Sequence, residues 1–302
     1  MVQVERKESS TRTREIEEFT NLYFIHPLGA RLVPILARVG VSPNAVSFTG
    51  MACGVLAGVC YNRYPDPRFA LAGLLLMIGW HVLDGVDGQL ARLTNRQSEF
   101  GKVIDGIADN VTFVAVYLGL GLALDDVHGF WIWGLLALAG VAHSAQAATY
   151  ELQRQEYDFW GWNKRSAEFK SVDTLRRENV PRSFLQRIVF ALGISYVKLQ
   201  QRVSGVDLQH RSRIARALES LPDRAPYLRQ RYRETFAGQV KAWSIMSSNY
   251  RTLAIFACVA SGMPLVYFFG ELVGLSLLTV LFVRRQRLKS REFAELLDQQ
   301  AA

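Results

Sequence analysis

Apolar residues gather into long runs separated by polar stretches, and the lengths of these runs point to the fold class. A bilayer span needs about 17–25 mostly apolar residues. Ala45–Tyr61, Phe69–Leu83, Ile104–Leu124 and Phe130–Ala148 meet or approach that length, and Leu253–Phe269 and Leu272–Val283 follow after a long polar stretch. The last is short and needs its flanks to span. The pattern predicts an all-α integral membrane protein with six transmembrane helices. Ahead of them, residues 15–40 mix Phe, Leu, Ile and Val with Glu and Arg. This stretch is expected to be an amphipathic helix in the membrane interface, broken near Pro27, with a helix packed on protein as the equal alternative. Ser42-Pro43-Asn44 opens the first span, and either Ser42 or Asn44 is suited to cap it.

The expected organisation is a cytoplasmic tail and interfacial helix over residues 1–40, transmembrane helices 1–4 over 41–150 and a helical cytoplasmic insertion over 151–250. Transmembrane helices 5 and 6 follow over 251–288, and a cytoplasmic tail over 289–302. Loop charge tests this partition, because Lys and Arg accumulate on the cytoplasmic side. With the N-terminus inside, the inward segments hold 33 Lys and Arg and the outward loops hold only Arg63 and Arg68. The formal net charge of +8 belongs to the insertion: residues 151–251 carry +9 and the rest of the chain −1. The insertion's Arg residues alternate with Leu, Ile and Phe, which favours an anionic lipid surface over nucleic acid. The three cysteines lie in apolar stretches without metal-ligand spacing and are expected to be reduced packing residues. No cleavable signal peptide is expected in the polar N-terminal stretch.

Against this apolar background the run DGVDGQLARLTNRQSEFGKVIDGIADN, beginning at Asp84, stands out. Asp84 and Asp87 lie one turn apart at the inner end of the second span, and Asp105 and Asp109 one turn apart at the start of the third. The short link between them lets both pairs face each other. Four uncompensated carboxylates in a bilayer cost on the order of 10 kcal/mol, less near the interface. Arg92 and Lys102 supply at most two positive charges, and the missing charge is most simply a hard divalent cation, Mg²⁺ or Mn²⁺, which prefers carboxylate oxygens. His81, one turn before Asp84, is better explained as a hydrogen-bonded packing residue than as a ligand.

Asp84-x-x-Asp87-Gly88-x-x-Ala91-Arg92, eight residues, then Gly101-x-x-x-Asp105-x-x-x-Asp109 resembles the signature of the CDP-alcohol phosphotransferases, also called CDP-alcohol phosphatidyltransferases. The resemblance covers the six-span core and extends to Pro43-Asn44, but does not reach the insertion. It implies metal-dependent transfer of a substituted phosphate group from a CDP-alcohol donor to the hydroxyl of an acceptor alcohol, with release of CMP, in phospholipid or phosphosphingolipid synthesis. Carried over by position, it implies Asp84, Asp87, Asp105 and Asp109 as metal ligands and Asp109 also as the catalytic base. Gly88, Ala91, Arg92 and Asn44 would contact the nucleotide. One substrate would be a lipid, the protein would form a homodimer among membrane lipids, and the active site and both termini would face the cytoplasm. Lys102, His143 and Arg251 are acceptor-site candidates, each with a bland competitor as a solvated charge or an interhelical hydrogen bond.

Three rival readings carry different expectations. A membrane isoprenyl transferase should space its aspartate clusters farther apart, and a transporter should hold its carboxylates near mid-membrane rather than at the inner helix ends. An inactive scaffold has no reason to keep the repulsion among four aspartates.

Overall fold

A computed structural model describes the backbone of residues 13–97, 99–167, 176 and 184–301; the side chains of residues 99–107 and of several positions between 166 and 208 lie outside the described set. Among the described residues there is no strand. The helices are α1 (His26–Val39), α2 (Pro43–Tyr61), α3 (Pro67–Leu93), α4 (Glu99–His128), α5 (Trp131–Glu156) and α6 (Phe184–Val203). They continue with α7 (Leu208–Ser220), α8 (Ala225–Trp243), α9 (Ser248–Ala260), α10 (Pro264–Phe269) and α11 (Ser276–Ala301). Among the described residues, five helical runs are long and apolar enough to cross a membrane: Asn21–Val39, Pro43–Tyr61, Pro67–Leu93, Ala108–His128 and Pro264–Gln300. Their outward faces are apolar, as in Val114, Leu118 and Leu122, exposed at successive turns of α4. Polar side chains such as Gln146, Arg251 and Glu271 are buried instead. This inversion of the water-soluble pattern belongs to an integral membrane protein.

The described residues form two compact units. The first comprises Glu18–Ser144 and Ser247–Ser276, and the second comprises the described residues within Met1–Glu17, Ala145–Met246 and Leu277–Ala302.

In the first unit α2 packs along both α3 and α4. Gly50, Gly54 and Gly58 recur at four-residue spacing on α2, and a Cβ at Gly58 would run into the carbonyl of Ala115 on α4. This is close backbone approach through small residues, the usual means of joining helices in lipid. Ser42 accepts a hydrogen bond from the Ala45 N–H at 3.2 Å, so it caps α2, while Pro43 fills the first turn, where no N–H partner is needed. Val82, Val86 and Leu90, one turn apart on α3, bury against Val33 of α1 and Val46 of α2. At the C-terminus of α3, Thr94 N–H donates to Leu90 O and Arg96 N–H to Ala91 O, both at 2.9 Å. Asn95 takes the left-handed conformation there, at φ 54°.

Three expected boundaries move. The N-terminal helix does not end near Pro27: a π turn over Asn21–Ile25 leads directly into α1, so the hydrogen-bond pattern widens just before the proline, which has no N–H to donate, and the helix runs on. The predicted span Leu253–Phe269 contains a turn, because Gly262 takes φ +75° and Pro264 starts a new helix. From Pro264 the chain runs through α10, a π turn over Gly270–Leu275 and α11, and residues 289–301 continue α11 rather than forming a separate tail.

In the second unit, Leu228, Tyr232, Phe236 and Val240 form one stripe of α8 and bury against Phe293 and Leu297 of α11 and against Ile16, Tyr157 and Trp160. Glu156 accepts the Trp160 indole N–H at 2.8 Å and pairs with Arg211.

Candidate functional site

α3 delivers the first half of the motif. Asp87 is buried, with 7% of its surface exposed, and Asp84, one turn earlier, is half-buried. Asp87 is not held by its own helix alone: the Ser47 hydroxyl, on α2, donates a hydrogen bond to its Oδ2. Ser47 lies one turn after Pro43-Asn44, so the opening of α2 and the aspartates of α3 form one locus. Asn44 is half-buried in that first turn.

Arg92 is exposed near the end of α3. Its Nη1 lies 3.5 Å from where a Cβ on Gly88 would be. The guanidinium therefore arches back over the bare backbone one turn earlier. Gly88, Ala91 and Arg92 thus share one side of the last turns of α3 and offer a phosphate both close approach and a planar cation.

α4 carries the second half. Asp109 is exposed on it, while the side chains of Lys102 and Asp105 lie outside the described residues. Among the described residues, which leave out the Asp105 side chain, no group of three His, Cys, Asp or Glu side chains forms a metal-binding cluster. The donor chemistry fits a hard cation nonetheless. The motif offers carboxylate oxygens alone, and one of them, on Asp87, is held in place by a buried hydroxyl.

His81 is buried, and its Nε2 lies 2.9 Å from the Thr252 hydroxyl of α9. This is the packing role expected of it. α9 also places Asn249, whose amide donates to Glu18 and to Asn21, each at 2.7 Å.

His143 and Arg251 come together, joined by a residue the sequence did not single out. Arg251 and Glu271, with 2% and 1% of their surfaces exposed, form an ion pair, and Arg251 Nη1 lies 2.9 Å from His143 Nδ1. Tyr117 lies 3.4 Å from the same ring nitrogen and 3.2 Å from the Tyr267 hydroxyl. Glu271 sits on the π turn, where the widened helix turns its carboxylate into the unit. A lone Glu in the apolar run YFFGELVGL was the available signal. The signal for Ser47 was weaker, a hydroxyl one turn past Pro43.

Residues 40–192 match the family model of the CDP-alcohol phosphatidyltransferases. Over 92 residues the chain is 34% identical to an archaetidylinositol phosphate synthase of Pyrococcus horikoshii, covering 30% of this chain and 47% of that one. Over 168 residues it is 30% identical to the chloroplastic CDP-diacylglycerol--glycerol-3-phosphate 3-phosphatidyltransferase 1 of Oryza sativa subsp. japonica, covering 55% of this chain and 48% of that one. A phosphatidylinositol phosphate synthase of Streptomyces avermitilis is 37% identical over 87 residues, 29% of this chain and 34% of that one. The chain spans about half the length of the first two relatives.

Proposed function

Because the chain belongs to the CDP-alcohol phosphatidyltransferase family, we propose that it transfers a substituted phosphate group from a CDP-alcohol to the hydroxyl of an acceptor alcohol, releasing CMP, with a lipid as one of the two substrates. The observation that carries this reading is the complete aspartate signature on α3 and α4, with Asp87 buried and held by Ser47.

In the reaction the acceptor oxygen bonds to the phosphorus that carries the alcohol, and the bond from that phosphorus to the CMP oxygen breaks. Asp109, exposed on α4, takes the acceptor's hydroxyl proton. Arg92, arched over Gly88, pairs with a phosphate of the nucleotide, and Gly88 and Ala91 let the donor lie close to α3. Asn44 contributes a donor from the first turn of α2. Asp84, Asp87, Asp105 and Asp109 would hold Mg²⁺ or Mn²⁺, which when bound neutralises charge on the phosphates and on the leaving CMP. Ser47 fixes the orientation of one of these carboxylates.

Acceptor recognition falls to Lys102 and to the exposed edge of His143, whose side chain is 14% accessible, while Arg251, at 1%, serves to hold Glu271. The six-span topology is kept as α2, α3, α4, α5, α9 and the run from α10 into α11. The N-terminal helix lies in the interface with Phe19, Tyr23 and Phe24 exposed, and the motif and both termini face the cytoplasm. The unit of action is a homodimer.

Purified protein supplied with a panel of CDP-alcohols and acceptor alcohols should release CMP, lose this activity on chelation and regain it with Mg²⁺ or Mn²⁺. CMP release that persists unchanged in chelator would contradict the cation's part, and no release from any CDP-alcohol would contradict the reading as a whole.

A further inference from the structure

The second unit contains a cavity of about 620 Å³ that the proposed reaction does not use. Its wall comes from the end of α6, the link through Gly205, the first turns of α7 and one side of α11. Four arginines line it: Arg202, Arg213, Arg287 and Arg291. Among the described residues none of the four has a carboxylate at ion-pair distance or a hydrogen-bond partner. Other arginines of the same unit are engaged: Arg211 with Glu156, Arg154 with Glu151, and Arg229 with the carbonyls of Phe159 and Trp160. Arg284 and Arg285 also lack a partner among the described residues, but Arg202, Arg213, Arg287 and Arg291 meet at one wall.

The backbone makes room for a ligand there. Arg287 and Arg291 are one turn apart on α11 and reach the same wall. Gly205, at φ +68°, has no side chain beside them, and a Cβ would come within 2.5 Å of Val283 Cγ1 and 3.5 Å of Arg287 Nε. Asp207, also in the wall, accepts the Gln209 N–H at 2.8 Å as the cap of α7. His210 turns a buried Nε2 without a hydrogen-bond partner among the described residues. Burial holds its imidazole down, to about 4, with Arg213 acting in the same direction and Asp207 against it. A neutral ring of this kind offers a hydrogen bond without adding charge. Glu295 and Asp298 lie beyond Arg291 on α11, so the cavity is basic at one end and acidic at the other.

We propose that this cavity binds a phosphate-bearing ligand, held at its basic end by Arg202, Arg213, Arg287 and Arg291. Planar guanidiniums match phosphate oxygens in pairs, and the cavity is within the roughly 300–1,000 Å³ of small-ligand sites. Phosphate suits the site better than a carboxylate because the four arginines outnumber Asp207, the one carboxylate at their end of the wall, and still call for more than one negative charge, while a phosphate monoester carries about −1.5 to −2. The acidic end confines the anion to the arginines. The phosphate can arrive on a soluble phosphoester or on a lipid headgroup, and the two are separable by experiment.

The full chain in phosphatidylcholine nanodiscs is titrated calorimetrically with inorganic phosphate. The wild type should bind it saturably, R287A/R291A should weaken binding at least about tenfold, and R284A/R285A, on the same helix but outside the wall, should change it less than about twofold. Arg92→Ala should retain this binding, which separates the cavity from the α3 motif. R202A/R213A, on two other helices, should reproduce the loss if R287A/R291A does not fold. Competition with sn-glycerol 3-phosphate and with dihexanoyl phosphatidic acid, both phosphate monoesters, the latter below its micelle concentration, then identifies the source, since the better competitor is the physiological form. Absence of saturable phosphate binding overturns the proposal, as does binding unchanged in both lining pairs or lost equally in R284A/R285A.

Discussion

Two polar clusters lie in the same helical unit and are balanced in opposite ways. Around α9 a cation meets an anion: Arg251 pairs with Glu271, and His143, Tyr117 and Tyr267 extend the network. On α3 and α4 the signature brings four aspartates into a segment whose basic residues are Arg92, Arg96 and Lys102, and the donor that reaches Asp87 from α2 is a neutral hydroxyl. A locus that balances its own charge can serve the fold without any ligand. A locus with more signature aspartates than basic residues, four to three here, is one whose charge a bound cation would complete. Position alone does not distinguish them, because both clusters put charged groups among membrane helices.

Substitutions should separate the two clusters. The largest effect is expected at Glu271→Leu, which strands a buried guanidinium and should cost about 3–5 kcal/mol, read as lost thermal stability in detergent. The double variant R251L/E271L should recover most of that loss, because it removes both charges. If Asp87→Asn destabilised the protein as much as Glu271→Leu, the aspartates would be structural and the contrast would fail. Arg92→Ala comes next, with KM for the CDP-alcohol raised about tenfold and the unfolding temperature unchanged. An Arg92→Ala enzyme with an unaltered KM would return Arg92 to the role of an ordinary charge at a helix end. The smallest effect belongs to Ser47→Ala, which removes one donor from Asp87 and should lower kcat by up to about tenfold, in line with the lower end, about 1.5 kcal/mol, for a hydrogen bond to a charged group. Steady-state CMP release measures it, and an unchanged kcat would show that Asp87 keeps its orientation without Ser47.

The aspartate motif was legible in the sequence because chemistry and spacing coincide there: charged residues one turn apart interrupt apolar runs, and helical geometry does the rest. The cap at Ser42 was legible for the same local reason. Glu271 was harder to read because its meaning depends on Arg251, twenty residues away across a turn. That turn was itself hidden inside an apolar window, although Gly262 and Pro264 mark it. Pro27 marks a break in the sequence pattern, but the π turn before it changes the hydrogen-bond pattern without ending the helix, which a local rule for proline does not foresee. The glycines of α2 carried their signal openly at four-residue spacing. Burial of Phe293 and Leu297 could not be read from α11 alone, because their apolar partners come from the N-terminal stretch and α8.

The most direct test is CMP release by Asp109→Asn, compared with wild type under saturating CDP-alcohol, acceptor and Mg²⁺ or Mn²⁺. If Asp109 takes the acceptor's proton, the variant should fold with the wild-type unfolding temperature and release CMP at least about 10²-fold more slowly. CMP release at the wild-type rate from folded Asp109→Asn would contradict the assignment of the reaction to the α3–α4 aspartates.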